Sequence, residues 1–194
     1  MLKLGASLLV LAVVAGVAWF VVHEQQGESS DDPDEYFLRD VATVEAMGLP
    51  VYWLGREFTA GDLVFRGPYG AEFGAEVEGG GVRTTYLAPL DGGNVAFRLT
   101  TYSRDAWELV KERILNPKLP GVTRRTVSIR DRQAELISVP LGTRPVNTLS
   151  LVLDLGDVAI VAAAGAGAPD EPPNPLINAD NLTALMEDLR PYPE

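Results

Sequence analysis

The feature that most constrains this chain is a run of nineteen uncharged residues, Leu4 to Val22 (LGASLLVLAVVAGVAWFVV). As an α-helix rising about 1.5 Å per residue it spans roughly 28 Å, close to the roughly 30 Å hydrocarbon core of a bilayer. Lys3 precedes the run, and residues 24–35 (EQQGESSDDPDE) follow it with six acids and no base. A cation on one side only places the amino terminus in the cytoplasm and everything after the run outside. Cleavage after Ala18 would suit a signal peptide, but the apolar run outlasts the usual core of about 7–15 residues. The sequence therefore predicts a retained signal-anchor helix over residues 1–23, an acidic tether over 24–32 and an extracytoplasmic domain over 33–194. Ala12 and Gly16 form a small-xxx-small pair of the kind that lets membrane helices approach.

Composition excludes several functions. A net charge of −11 opposes binding to a polyanion, so no nucleic-acid partner is expected. The chain has no cysteine, which removes disulfides, thiolate metal sites, cysteine nucleophiles and a lipidated amino terminus. Hydrophobic residues make up 46%, enough for a chain of this size to bury a core without metal or covalent staples.

Beyond the tether, Asp32-Pro33-Asp34-Glu35 supplies an N-cap, a proline at the first helical position and an acid at the third, predicting a helix start. Phe37, Val41 and Val44 give it an apolar face, and Gly48 and Pro50 end it. The period then changes to two. Strands are expected near 51–54, 62–66, 71–78, 82–88 and 95–102, followed by a helix over 104–115 capped by Ser103. Four more strands (123–130, 133–139, 148–155, 157–163) precede a closing helix over about 179–189, stopped by Pro191. Short strands joined by tight turns pair antiparallel. The predicted class is α+β: a transmembrane helix, then a mainly antiparallel sheet with helices packed on one face.

The segment LPVYWLGREF (49–58), a following Gly- and Tyr-containing stretch and YLAP (86–89) together resemble a group of actinobacterial-type, membrane-anchored extracytoplasmic proteins. The likeness covers residues 48–104. It implies an outward-facing, membrane-bound domain and carries no catalytic residues. The carboxy-terminal half resembles, in layout, small α+β modules of bacterial envelope and anti-sigma-type proteins.

Candidate sites are few. Tyr52 and Trp53 are either a buried strand, held between sheet and helix, or an aromatic binding platform. Arg124, Arg125, Arg130 and Arg132 form the one basic cluster, suited to an anionic partner or to pairing with nearby acids. The connection 164–178 contains Pro172 and Pro173, whose extended shape a partner could recognise. Glu72, Glu76 and Glu78 share one strand face. Paired acids there would suit glycoside hydrolysis, although a half-solvated strand gives the same pattern. The single histidine, His23, lies at the membrane edge, remote from any triad or metal set. No EF-hand-like ladder, P-loop or dinucleotide fingerprint is present, and no metal or cofactor is expected.

The expectation is a membrane-anchored extracytoplasmic binding or scaffolding module of the cell envelope, not an enzyme. Its partners would be the bilayer, through residues 4–22, and an envelope protein. The alternatives are an envelope glycan hydrolase using strand carboxylates, or a stress-sensing ectodomain acting through a partner helix.

Overall fold

A computed structural model of the chain describes residues 48–73, 81–90, 93–140, 147–165 and 174–192. The expected anchor, tether and first helix lie outside these residues. Among the described residues, no helix is long and apolar enough to cross a membrane. Gly48, the first of them, has φ +61°, the left-handed conformation that a helix-terminating glycine supplies at little strain.

The fold is a strand-rich α+β arrangement, almost wholly antiparallel. In chain order it contains β1 (Val51–Trp53), β2 (Glu57–Ala60), β3 (Leu63–Phe73), β4 (Val82–Leu90) and β5 (Gly93–Ser103). After α1 (Arg104–Leu115) come β6 (Thr123–Ile129), β7 (Arg132–Pro140), β8 (Asn147–Asp154) and β9 (Val158–Ala164). A 3-10 turn (Pro175–Ile177), α2 (Ala179–Met186) and β10 (Arg190–Tyr192) complete it. One sheet has the order β2-β3-β4-β5-β9-β8-β7-β6, and β1 and β10 form a separate two-stranded ribbon. The chain thus meanders inward from one edge to β5, and α1 carries it to the far edge. A second meander then returns until β9 closes against β5, with Leu99 opposite Ala162 and Thr101 opposite Ile160.

Alternation explains most of the sheet. Leu149, Leu151 and Leu153 of β8 face one side together, as their spacing predicts, and join Ile160, Ala162, Leu136 and Phe97 in the larger core. Leu176, Leu182, Leu185 and Met186 cover that core from the 3-10 turn and α2. Near the β2 edge the core is aromatic. Phe58 stacks on Phe65 at 4.9 Å and meets Tyr86 edge-on at 5.2 Å.

The opposite face carries a second core. Trp107, Ala106 and Val110 of α1 pack on Tyr102, Ile137, Val152, Ala159 and Val161. The expectation of helices on one face is therefore corrected, because α1 and α2 lie on opposite faces. The reason is visible in β9, whose VAIVAAA sequence has no polar side. Ile160 and Ala162 are buried toward α2, while Ala159 and Val161 are buried toward α1.

Helix α1 is fixed at both ends. The Ala106 N–H donates to the Ser103 hydroxyl at 3.3 Å, as an N-cap should. Arg104 donates to both Asp154 oxygens at 3.0 Å, and the Trp107 indole also hydrogen-bonds that carboxylate. At the other end Arg124 donates to the Leu115 carbonyl at 3.2 Å and the Asn116 side chain at 2.9 Å.

Three local differences from the sequence reading have simple causes. The run expected at 62–66 and the described part of the run expected at 71–78 belong to one strand, β3, whose pairing with β4 shifts register between Arg66 and Tyr69 and again before Ala71. Strand β2 was hidden in the polar residues around Phe58. Helix α2 ends at Met186, and the Arg190-Pro191-Tyr192 stretch expected as a stop is a strand, paired with β1. Leu182 and Leu185 are buried, as the helical spacing requires, and Leu189 is buried beyond the end of the helix.

Two outcomes follow. Gly81→Ala would place a Cβ 2.6 Å from the Thr101 carbonyl oxygen, so it should destabilise by about 2–4 kcal/mol in denaturant unfolding. Gly165→Ala, whose Cβ meets nothing within 4 Å, should leave the midpoint unchanged. Burial alone would raise the pKa of Asp154, but the Gly156 N–H, Arg104 and the Trp107 indole outweigh it and hold the carboxyl below its ordinary value. Such a group stabilises the fold above its unfolded pKa and loses that contribution as pH falls through the folded one. Stability measured from neutral into acid solution should therefore fall more steeply in the parent than in Asp154→Asn. Parallel curves would show that this carboxylate contributes nothing to the acid limb.

Candidate functional site

The segment PVYWLG (50–55) lies neither inside the main sheet nor between sheet and helix. Val51 pairs with Tyr192, Tyr52 with Pro191 and Trp53 with Arg190. The anchoring residues of this ribbon are Val51, packed with Val82 and Leu49, and Leu54, which enters the main core. The Leu54 N–H donates to the Tyr86 hydroxyl at 3.0 Å. Burial raises the Tyr86 pKa well above its ordinary value, against the opposing Leu54 hydrogen bond and the charge of Arg190. Tyr86 thus stays a neutral phenol that locks the ribbon to the sheet. Tyr52 and Trp53 are half-buried, not enclosed. Trp53 meets Tyr192 edge-on at 4.9 Å, and the Arg190 guanidinium lies 5.8 Å from its ring centre.

The four arginines separate once folded. Arg124 lies on the α1 side, where its Nε is 3.4 Å from Glu135. Register places Arg125 on the α2 side, 4.0 Å from the exposed Asp180. Arg130 occupies the β6–β7 turn, and Arg132 begins β7. Arg124 and Arg125 thus part from each other and from Arg130 and Arg132, and the four do not form one basic patch.

That turn is strained. Arg130 and Asp131 have φ values of 46° and 64°, the left-handed pair of a type I′ hairpin, where Asn-Gly or Asp-Gly is usual. A non-glycine residue so held costs about 1–3 kcal/mol unless its surroundings compensate. Glu187, just after α2, provides the compensation. The Arg130 N–H donates to both Glu187 carboxylate oxygens at 3.0 and 3.1 Å. The Arg130 guanidinium donates to the Glu187 carbonyl oxygen. Thus α2 and the β6–β7 turn hold each other.

Beside this clasp opens a cleft of about 280 Å³. It sits at the end of the sheet where the β6–β7 and β8–β9 turns lie side by side. Its floor is apolar, made by Leu153, Leu155, Ile160, Met186 and Leu189. Tyr52 forms one wall, and Arg130, Arg132 and Asp157 supply charge at the margins. Neither the Arg132 nor the Asp157 side chain makes an ion pair or hydrogen bond among the described residues. Local sequence explains the placement. Gly156, at φ +96°, lets the chain reverse so tightly that Leu155 and Asp157 both reach the cleft.

The structure therefore unites Tyr52, Arg130 and Arg132 and leaves Trp53, Arg124 and Arg125 elsewhere. Pro172 and Pro173 lie outside the described residues, as do Glu76, Glu78, His23 and residues 4–22. Sequence reasoning missed Asp157, Leu155, Met186 and Leu189. The available signal was that two charged turns, IRDR and LGD, end neighbouring hairpins. Among the described residues, no group of three or more His, Cys, Asp or Glu is placed to hold a metal ion. No family model, curated protein or solved structure matches this chain.

Removing the clasp should be measurable. Glu187→Ala is expected to destabilise by about 1 kcal/mol, the net worth of a charge-assisted hydrogen bond partly exposed to water. Asp180→Ala, whose partner is 4.0 Å away, should leave unfolding unchanged. Equal effects would mean that Glu187 does not hold the turn.

Proposed function

We propose that this chain is a membrane-anchored extracytoplasmic binding module of the cell envelope, not an enzyme, and that the cleft is its binding site. In this reading residues 4–22 form a transmembrane helix, 24–32 a tether, and the β-rich domain faces outward with an envelope protein as a further partner. One observation carries the assignment of the site. Tyr52 stands far in sequence from Arg130 and Arg132, yet all three converge on one apolar-floored cleft, an arrangement found in small-molecule sites. The lining favours binding over hydrolysis. Glycoside cleavage uses two carboxyl groups flanking the bond, and the cleft lining offers one, Asp157, beside two guanidiniums.

The cysteine-free sequence makes a clean test possible. Leu109→Cys, on the outer face of α1 and 77% exposed in the parent, should react with a membrane-impermeant maleimide in intact cells. Reaction only after lysis would overturn the outward orientation. Leu155→Cys, on the cleft floor, should react about tenfold more slowly in cells than in the purified full-length chain, as occupancy at roughly ten times the dissociation constant would require. Equal rates would mean that nothing occupies the cleft there.

A further inference from the structure

Among the described residues, the two cleft charges without an ion-pair partner have opposite signs. The Arg130 guanidinium is engaged by Glu187, which leaves Arg132 as the cation available to a ligand and Asp157 as the anion. These two side chains come from the ends of neighbouring hairpin turns and line one cavity, yet they form no ion pair with each other. A purely anionic ligand would satisfy Arg132 and be repelled by Asp157. A purely cationic one would meet the reverse. A ligand carrying both charges at separated ends would satisfy each, with Leu155 and Tyr52 receiving its apolar middle.

Size narrows the choice. A cavity of about 280 Å³ lies just below the usual range of about 300–1,000 Å³ for ligand pockets, which disfavours the paired acyl chains of a zwitterionic phospholipid. A free amino acid is also disfavoured, because it holds both charged groups on one carbon, whereas the Arg132 and Asp157 side chains line the cleft without forming an ion pair. Two peptide residues separate the terminal charges by roughly 6–7 Å.

We propose that the cleft binds an apolar dipeptide as a zwitterion, its carboxylate on Arg132, its ammonium on Asp157 and its side chains against the part-exposed Leu155 and Tyr52. This rests on the reading of the cleft as a binding site. Charge complementarity would give the site its direction as well as affinity, since a reversed dipeptide would place like charges together.

The test is titration calorimetry on the full-length chain in lipid nanodiscs, with leucyl-leucine as the probe. Binding should be detectable. N-acetylation of the dipeptide, which removes the cation, and amidation, which removes the anion, should each weaken it roughly tenfold. Arg132→Gln should bind acid and amide forms alike, and Asp157→Asn should bind free and acetylated forms alike. Both residues are exposed, and unchanged thermal unfolding would show that each variant folds. Leucyl-leucine should also protect Leu155→Cys from maleimide. If both variants bound the dipeptide as tightly as the parent, the assignment of its termini would be overturned. If decanoate bound more tightly than the dipeptide and ignored Asp157→Asn, the zwitterion would be wrong and the cleft still a binding site. If neither probe bound or slowed labelling at Leu155→Cys, the dipeptide proposal would fall. If cells also labelled that cysteine as fast as the purified chain, the reading of the cleft as a binding site would fall too.

Discussion

Strand β9 is apolar on both faces, and the architecture follows from the need to keep water from both. An antiparallel sheet commonly covers one face and solvates the other. A central strand reading VAIVAAA cannot do so, because neither parity offers a polar residue. Ile160 and Ala162 require a cover on one side, and Ala159 and Val161 require one on the other. Helix α2 meets the first need and α1 the second. The long crossover that brings α1 over the sheet also sets the topology, since it delivers the chain to the far edge and obliges the second meander to return inward. The small alanines of β9 matter as well. They leave room for Trp107, which is 2% exposed and whose truncation to alanine would cost about 3–5 kcal/mol.

Much of this was legible before folding. The leucines of β8, the Ser103 cap, the turn at Gly156 and the apolar face of α2 each obey a single local rule, and local rules can be read from one chain. The side of the sheet taken by each helix was harder, although the absence of alternation in β9 was the signal. The ribbon was not legible. Val51 and Tyr192 are joined only by tertiary pairing across nearly the whole described chain, and a three-residue strand has too little pattern to announce a partner. The half-buried state of Tyr52 and Trp53 has the same origin. A strand within the main sheet would have neighbours on both edges, whereas this one has β10 alone.

The candidate site was legible in its parts and not in its assembly. Four arginines within nine residues read as one cluster, yet strand parity sends Arg124 and Arg125 to opposite faces, and a turn removes Arg130 from both. What unites Arg132 with Tyr52 is the position of the ribbon across one end of the sheet. The Arg130-Asp131 turn illustrates the limit further. Nothing local favours two left-handed non-glycine residues, and the pair is tolerated because Glu187, distant in sequence, accepts the Arg130 N–H. Strain held in place from outside often marks a functional margin, and here the strained turn borders the cleft.

The cleft exists because the cover is shorter than what it covers. Helix α2 has eight residues, about 12 Å of helix, whereas β7 beneath the same core has nine, about 30 Å of strand. The 3-10 turn and Leu189 extend the cover in either direction, and the ribbon crosses the end with Tyr52. Between Leu189 and Tyr52 the floor is open at Leu155, above the buried Leu153 and Ile160. One larger apolar side chain on the neighbouring turns could close it, with a gain in burial of about 1.5–3 kcal/mol. The turns instead carry Arg132 and Asp157, long or charged groups that reach over an apolar floor without sealing it. A gap bordered in this way forgoes stability that hydrophobic residues would supply, and a ligand able to meet both charges recovers it on binding.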